Sequence, residues 1–276
     1  MSLIVYLRGG GDLASGVAVR LHRAGLDVVI AELPKPLVVR RRVSFANAMY
    51  EGQTQVEEIP ARKVSDIEAV LAAHRERVIP VISDPQANLL DIFKHRLAPD
   101  VPIVMVDGRM TKKPPDLGIE SASLVIGLGP GFIAGENCHA VIETNRGHML
   151  GRVLWEGAPQ ADTGIPESVA LHGVERVLRA PADGILEARA EIGEHIEPGQ
   201  VVALISGTSV PAPIRGVLRG LMYPGSQVTK GLKIGDIDPR GMPIYCRLVS
   251  DKSLAIGGSV LEAILACTDL RPFLWE

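Results

Sequence analysis

The sequence predicts an α/β protein, with a Rossmann-like parallel sheet in its first half followed by a β-rich domain. Three observations predict it. Short apolar runs alternate with helical stretches up to about residue 150, a glycine-rich turn joins the first run to the first helix, and a 32-residue repeat with fixed glycine positions occupies residues 179–241. The expected organisation is a Rossmann-like domain over 1–150, a connecting segment over 151–178, the repeat domain over 179–241, and a C-terminal segment over 242–276 whose helix packs back on the rest.

The N-terminal elements follow from hydrophobic spacing. Leu3–Leu7 is a continuous apolar run, the pattern of a strand buried on both faces. From Asp12, the apolar residues Leu13, Val17, Leu21 and Ala24 fall at helical spacing, and Gly25 ends the helix. Asp27–Leu33 is a second strand, which completes a parallel βαβ unit. Further strands are expected over Val78–Ser83, Val101–Asp107 and Ser123–Gly129, with helices near Asp66–His74 and Asn88–Leu97. In such sheets ligands bind outside the carboxyl ends of the strands.

That rule directs attention to the loops. Gly9-x-Gly11-x-x-Ala14, with Gly10 between, fits the dinucleotide-binding fingerprint in its strand-to-helix setting. Gly9 would make the tight turn, Gly11 would let a phosphate approach the backbone, and the helix start would supply amide hydrogens. Glu32 ends the next strand, where an acid can accept a bond from a ribose hydroxyl. Packing alone also places glycines at such turns. Asp12 either caps the helix or opposes a pyrophosphate.

A second glycine loop, Gly127–Phe132, brings Gly129 and Gly131 to a strand end. The segment that follows gathers Glu143, Arg146, His148 and Arg152 within ten residues. This is either an ion-paired turn or a polar wall for an anionic ligand, with His148 the candidate for proton transfer because imidazole titrates near neutrality. Arg109, Lys112 and Lys113, after the fourth strand, either neutralise a phosphate or form a solvated basic loop, and Arg40-Arg41-Arg42 is either a solvated or salt-bridged loop or a contact to an anionic ligand.

Composition limits the function classes. The chain has 276 residues, 46% hydrophobic, with a net charge of −3, so a sizeable core is expected and broad nucleic-acid or membrane-surface binding is not. Cys138, Cys246 and Cys267 make an odd count without C-x-x-C spacing, which points to a reducing, cytoplasmic setting. His and Cys show no metal-ligand spacing, so no metal site is expected.

In the repeat, Ala180-Pro181 and Ala212-Pro213 begin two copies. Glycines follow each alanine at 4, 13 and 19 residues: Gly184, Gly193 and Gly199, then Gly216, Gly225 and Gly231. Ile185, Leu186 and Ile196 match Val217, Leu218 and Val228. The pattern "APADG…IGEHIEPGQ" with "API.G…PGSQVTKG" resembles the barrel-sandwich hybrid of biotinyl and lipoyl carrier domains. Those carriers modify a lysine between their halves, and no lysine lies between Arg189 and Lys230, so neither biotin nor lipoate is expected. Asp236, Asp238 and Arg240 close the repeat, read as turn chemistry.

Taken together, "RGGGDLASGVAVRLHRAG", "KPLVVRRRVSFANAMYEG", "DGRMTKK", "GLGPGFIAG", "ETNRGHMLGR", "KIGDIDPRG" and "SDKSLAIGG" resemble the YqeB-type accessory proteins of selenium-dependent molybdenum hydroxylases. The "GLGPGF" region is also similar to the XdhC/CoxI maturation factors. Asp162 departs from that pattern, where Asn is expected. The resemblance implies maturation or assembly of a molybdenum hydroxylase client, with a molybdopterin-type cofactor or a nucleotide as the ligand. Two alternatives stand beside it: an NAD(P)-dependent oxidoreductase, and a non-catalytic protein–protein adaptor.

Overall fold

The computed structural model describes residues 3–96, 101–162, 164 and 172–274. It divides into two compact units. The first comprises residues 1–34, 45–162 and 249–276; the second comprises 35–44 and 163–248. The sequence boundaries at 150, 178 and 241 are therefore replaced by an interleaved division. Residues 35–44 join the second unit because Val39 packs against its core and Arg41 Nε donates to Leu221 O at 2.7 Å.

The first unit contains β1 (Ile4–Arg8), α1 (Asp12–Arg23), β2 (Asp27–Glu32), α2 (Ala48–Glu51), β3 (Gln53–Val56), β4 (Ile59–Val64), α3 (Ile67–Arg75), β5 (Ile79–Ser83), α4 (Asn88–Arg96), β6 (Ile103–Asp107), β7 (Leu124–Leu128), β8 (Ala140–Ile142), β9 (Val153–Leu154) and, from the C-terminal segment, α5 (Asp251–Ala266). Side chains cap α3 and α5: Asp66 accepts from Ala69 N at 2.9 Å, and the Ser250 hydroxyl accepts from Ser253 N at 3.1 Å. Arg20, His22 and Arg23 in the last turn of α1 oppose its negative dipole end.

The sheet order is β3-β4-β5-β2-β1-β6-β7-β8-β9. The strands from β4 to β8 run parallel, while β3 and β9 pair antiparallel at the two edges. β1, β6 and β7 are buried along their whole length, as continuous apolar strands covered on both faces must be. On one face, Tyr6 and Phe93 meet edge to face at 6.4 Å within a core that includes Val29, Ile82, Met105 and Val125. Elsewhere α1 and α5 cross closely at glycines. A Cβ on Gly16 would lie 2.5 Å from Ser253 O, and one on Gly257 would lie 2.5 Å from Gly16 O.

The second unit holds β10 (Val177–Arg179), β11 (Gly184–Ala188), β12 (His195–Ile196), β13 (Val201–Ile205), β14 (Thr208–Pro211), β15 (Gly216–Leu221), β16 (Gln227–Val228) and β17 (Lys233–Asp238). They form two four-stranded sheets, β10-β17-β15-β12 and β14-β13-β11-β16, and all their pairings are antiparallel. The two sequence copies exchange strands. Gly184 of β11 pairs with Val228 of β16, and its counterpart Gly216 of β15 pairs with Ile196 of β12. Neither copy can complete a sheet alone, which is why the glycine and apolar positions recur together.

The expected fold class is corrected on both counts. The first sheet is mixed, because hairpin partners close its edges. The second unit is described by its two antiparallel sheets with added edge strands β10 and β14, and the biotinyl/lipoyl-type hybrid is not retained as its class.

Candidate functional site

The carboxyl edge of the mixed sheet is unusually polar for a buried surface. Arg8 ends β1, Glu32 ends β2, Asp84 follows β5, Asp107 ends β6 and Glu143 follows β8, and all five are buried. Chain order reverses between the neighbouring strands β1 and β6, since β2 and β5 lie on one side and β7 and β8 on the other. Such a switch point leaves a crevice at the strand ends.

Arg8 and Asp107 are register partners there, and they anchor a four-residue charge network. Arg8 Nη1 and Nη2 donate to Asp116 Oδ1 and Oδ2 at 2.7 and 3.0 Å. Arg109 Nη2 and Nη1 donate to the same two oxygens at 2.6 and 3.3 Å. Asp107 orients both guanidinium groups, accepting from Arg109 Nη2 at 2.6 Å and from Arg8 Nη1 at 3.4 Å. One carboxylate is thus gripped by two planar forks, the geometry in which Arg recognises carboxylates. The Arg8 hydrogen bond, ahead of that from Arg109, holds the Asp116 carboxyl well below the usual carboxylate range. On the same strand, Tyr6 OH donates to Asp84 Oδ2 at 2.6 Å, and Asp84 also accepts from the amides of Asn88 and Leu89 at the start of α4. Burial, then the bond to Asp84, raises the Tyr6 phenol far above its normal titration.

The glycine fingerprint is occupied by the chain itself. Gly10 N donates to Glu32 Oε2 at 2.7 Å, and Glu32 Oε1 accepts from Leu33 N at 2.7 Å. Gly10 O accepts from Ala46 N at 2.9 Å and from Ser15 Oγ at 3.0 Å, while Phe45 N donates to Ser15 Oγ at 2.9 Å. Gly9 has φ +90°, and a Cβ there would lie 3.3 Å from Arg109 Cα. Gly11 is the residue preceding α1, and Asp12 Oδ1 accepts from Ser253 Oγ at 3.1 Å. Burial pushes the Glu32 carboxyl up, and the Leu33 and Gly10 amides hold it back. Glu32 therefore turns inward to the turn, where the fingerprint reading had it reaching a ribose.

The second group of expected site residues does not converge. A side chain on Gly129 would meet Thr144, and one on Gly131 would meet the Lys113 carbonyl, so both serve close packing. Glu143 accepts from the amides of Asn145 and Gln160 at 2.6 and 2.7 Å. Arg146 pairs with Asp251 of α5 at 2.7 and 2.9 Å, and His148 is exposed on the turn between β8 and β9. Lys112 pairs with Asp162 at 2.9 Å. In the second unit, Asp238 takes Arg240 at 2.6 Å and Asp236 takes Arg176 at 3.2 Å. No cluster of metal-ligating side chains occurs among the described residues.

Sequence reasoning named Arg109 but missed Arg8, Asp84 and Asp116. For Arg8 a signal was present: it is a charge placed directly at the end of a fully apolar strand. Asp116 lies 108 residues from Arg8 in an irregular segment and carries no local signal.

No protein-family model matches the chain. The chain is similar to YqeB of Escherichia coli strain K12. The likeness is 44% identity over 262 residues, 95% of this chain and 47% of the relative, itself an uncharacterized protein. The chain thus spans about half the length of the curated relative it matches. The YqeB likeness extends across both units, and the role in selenium-dependent molybdenum chemistry is no part of it.

Three solved structures are distant matches. An aspartoacylase family protein from Mesorhizobium loti shares 12% identity at a TM-score of 0.28, over 86% of this chain and 84% of that one. A succinylglutamate desuccinylase/aspartoacylase from Rhodobacter sphaeroides shares 13% at 0.25, over 86% and 85%. The product-bound ectoine utilization protein EutE of Ruegeria pomeroyi shares 10% at 0.24, over 84% and 56%. At such scores the likeness carries no argument about activity.

With the turn at Gly10 closed by Glu32, the expectation of a molybdenum-hydroxylase maturation factor holding a phosphate-bearing cofactor is withdrawn, and so is the NAD(P)-dependent alternative, which rests on the same fingerprint. No helix among the described residues is long and apolar enough to cross a membrane.

Proposed function

We propose that this chain binds a small carboxylate-bearing molecule at the switch point between β1 and β6, with Arg8 and Arg109 as the receptor groups. The observation that carries the reading is the convergence of both guanidinium groups on the two oxygens of a single carboxylate. Charge-assisted bonds of this kind are about twice as strong as neutral ones. Asp107, 3% exposed, supports the pair from beneath and fixes the forks before any ligand arrives.

A panel of small acids, including acetate, malonate, succinate and glutarate, tests the reading by thermal shift and calorimetry, with the matching amides as controls. At least one acid should raise the thermal midpoint and give saturable heat, its amide should not, and Arg109→Ala should abolish the effect. Identical behaviour of acids and amides would end the reading.

A further inference from the structure

Resting on that reading, we infer that Asp116 is a resident substitute for the ligand, a carboxylate of the chain itself that holds the site until an incoming carboxylate displaces it. The partners differ sharply in exposure. The side chains of Arg8 and Asp107 are 2% and 4% exposed, and that of Asp116 is 55% exposed. Arg109, at 27%, lies between them, so the exchangeable member of the network is the one that solvent reaches most.

Its attachment is also the least regular. Arg8 and Asp107 sit in paired strands, and Arg109 directly follows one, whereas Asp116 lies in a stretch between β6 and β7 with neither helix nor strand from 108 to 118. Two non-glycine residues of that stretch, Met110 and Lys112, have φ of +55° and +59°. Withdrawal of Asp116 moves an irregular segment and leaves the paired strands that carry Arg8 and Asp107 intact.

Charge sets the ligand class. With Asp116 in place, two guanidinium groups face two carboxylates. With Asp116 withdrawn, Asp107 alone faces both, and one positive charge is left uncompensated beside the buried Arg8. A buried cation deprived of its partner is strongly unfavourable, so release of Asp116 is coupled to entry of another anion. Four N–H groups already directed at two coplanar oxygens fit a second carboxylate atom for atom. Apparent affinity is then the intrinsic affinity multiplied by the fraction of molecules in which Asp116 is undocked.

The test uses acetate and succinate as probes on the full chain. Asp116→Ala should bind them roughly tenfold or more tightly than wild type, and acetate should raise its thermal midpoint saturably while acetamide does not. Equal affinities in wild type and variant would overturn the substitution by Asp116 yet leave the binding reading intact. Failure of both to bind would overturn the reading as well. Should Asp116→Ala fail to fold, hydrogen exchange on wild type decides. Succinate should speed exchange of the amides over residues 110–118, and unchanged or slower exchange there would refute displacement.

Discussion

Gly10→Ala separates a glycine kept for packing from one kept for a ligand. A Cβ at position 10 would lie 2.8 Å from Ala46 N, 3.1 Å from Ile30 Cγ2 and 3.2 Å from Ala46 Cα. Unstrained contacts lie near 3.5–4.0 Å, so Ala46 must retreat by several tenths of an ångström. Its offending atoms are backbone and cannot rotate aside. The retreat stretches the Ala46 N to Gly10 O bond and pulls on the adjacent Phe45 N to Ser15 Oγ bond, both between buried residues. Two weakened buried bonds, at about 0.5–1.5 kcal/mol each, add to an overpacking cost of about 1–3 kcal/mol. The lower entropy of the unfolded alanine chain returns only about 0.4–1 kcal/mol. The net expectation is a loss of roughly 1–5 kcal/mol in the first unit with no ligand present. Urea titration and calorimetry of the ligand-free variant measure it. Stability within about 0.5 kcal/mol of wild type, the scatter of a neutral surface change, would show that Phe45–Ala46 does not close over the turn, and the packing explanation would fail.

Adjacent glycines of α5 should respond with opposite signs. Gly257→Ala drives a methyl group toward Gly16 O and should destabilise by about 1–3 kcal/mol, whereas Gly258 has nothing within 4 Å and its alanine should stabilise by up to about 1 kcal/mol in chemical denaturation. Because the folded-state pKa of Asp116 is depressed, its stabilisation is complete above the unfolded value of about 4 and is lost as pH falls through the folded one. Asp116→Asn should therefore flatten the acid limb of a stability–pH curve, and a parallel limb would count against the Arg8–Asp116 pairing. Among the thiols, Cys138 is buried and pushed up to about 11, Cys246 is buried, and Cys267 is partly exposed. Thiol titration of the native protein should label Cys267 alone, with the others reacting only in denaturant.

Hydrophobic spacing located the interior of the first unit well, because it records local burial. The run at Leu3–Leu7 becomes β1, the helical spacing from Asp12 becomes α1, and "VIPVIS" contains β5. The hairpin of β3 and β4 escaped notice. β3 is half exposed and its turn uses Glu57 at φ +53° where a glycine would have signalled it. The 32-residue repeat was visible for a different reason: each copy completes the other's sheet, so matching positions carry matching demands.

The site was less legible, and Glu32 shows why. An acid at the end of β2 is placed equally well to reach a ribose hydroxyl or to turn back onto the amide of Gly10. Spacing fixes where its Cα sits, and the same glycines are demanded in both cases. What decides between them is Ala46, which bonds to Gly10 O from a separate stretch of chain and whose sequence neighbourhood carries no mark of that role. The charge network behaves likewise. Arg8 is specified by its strand, but its partner Asp116 comes from a loop 108 residues away. A motif therefore encodes a turn, and the long-range neighbours encode what fills it. That is why the site proposed for this sheet lies at the arginine that ends β1 and not at the glycines that follow it.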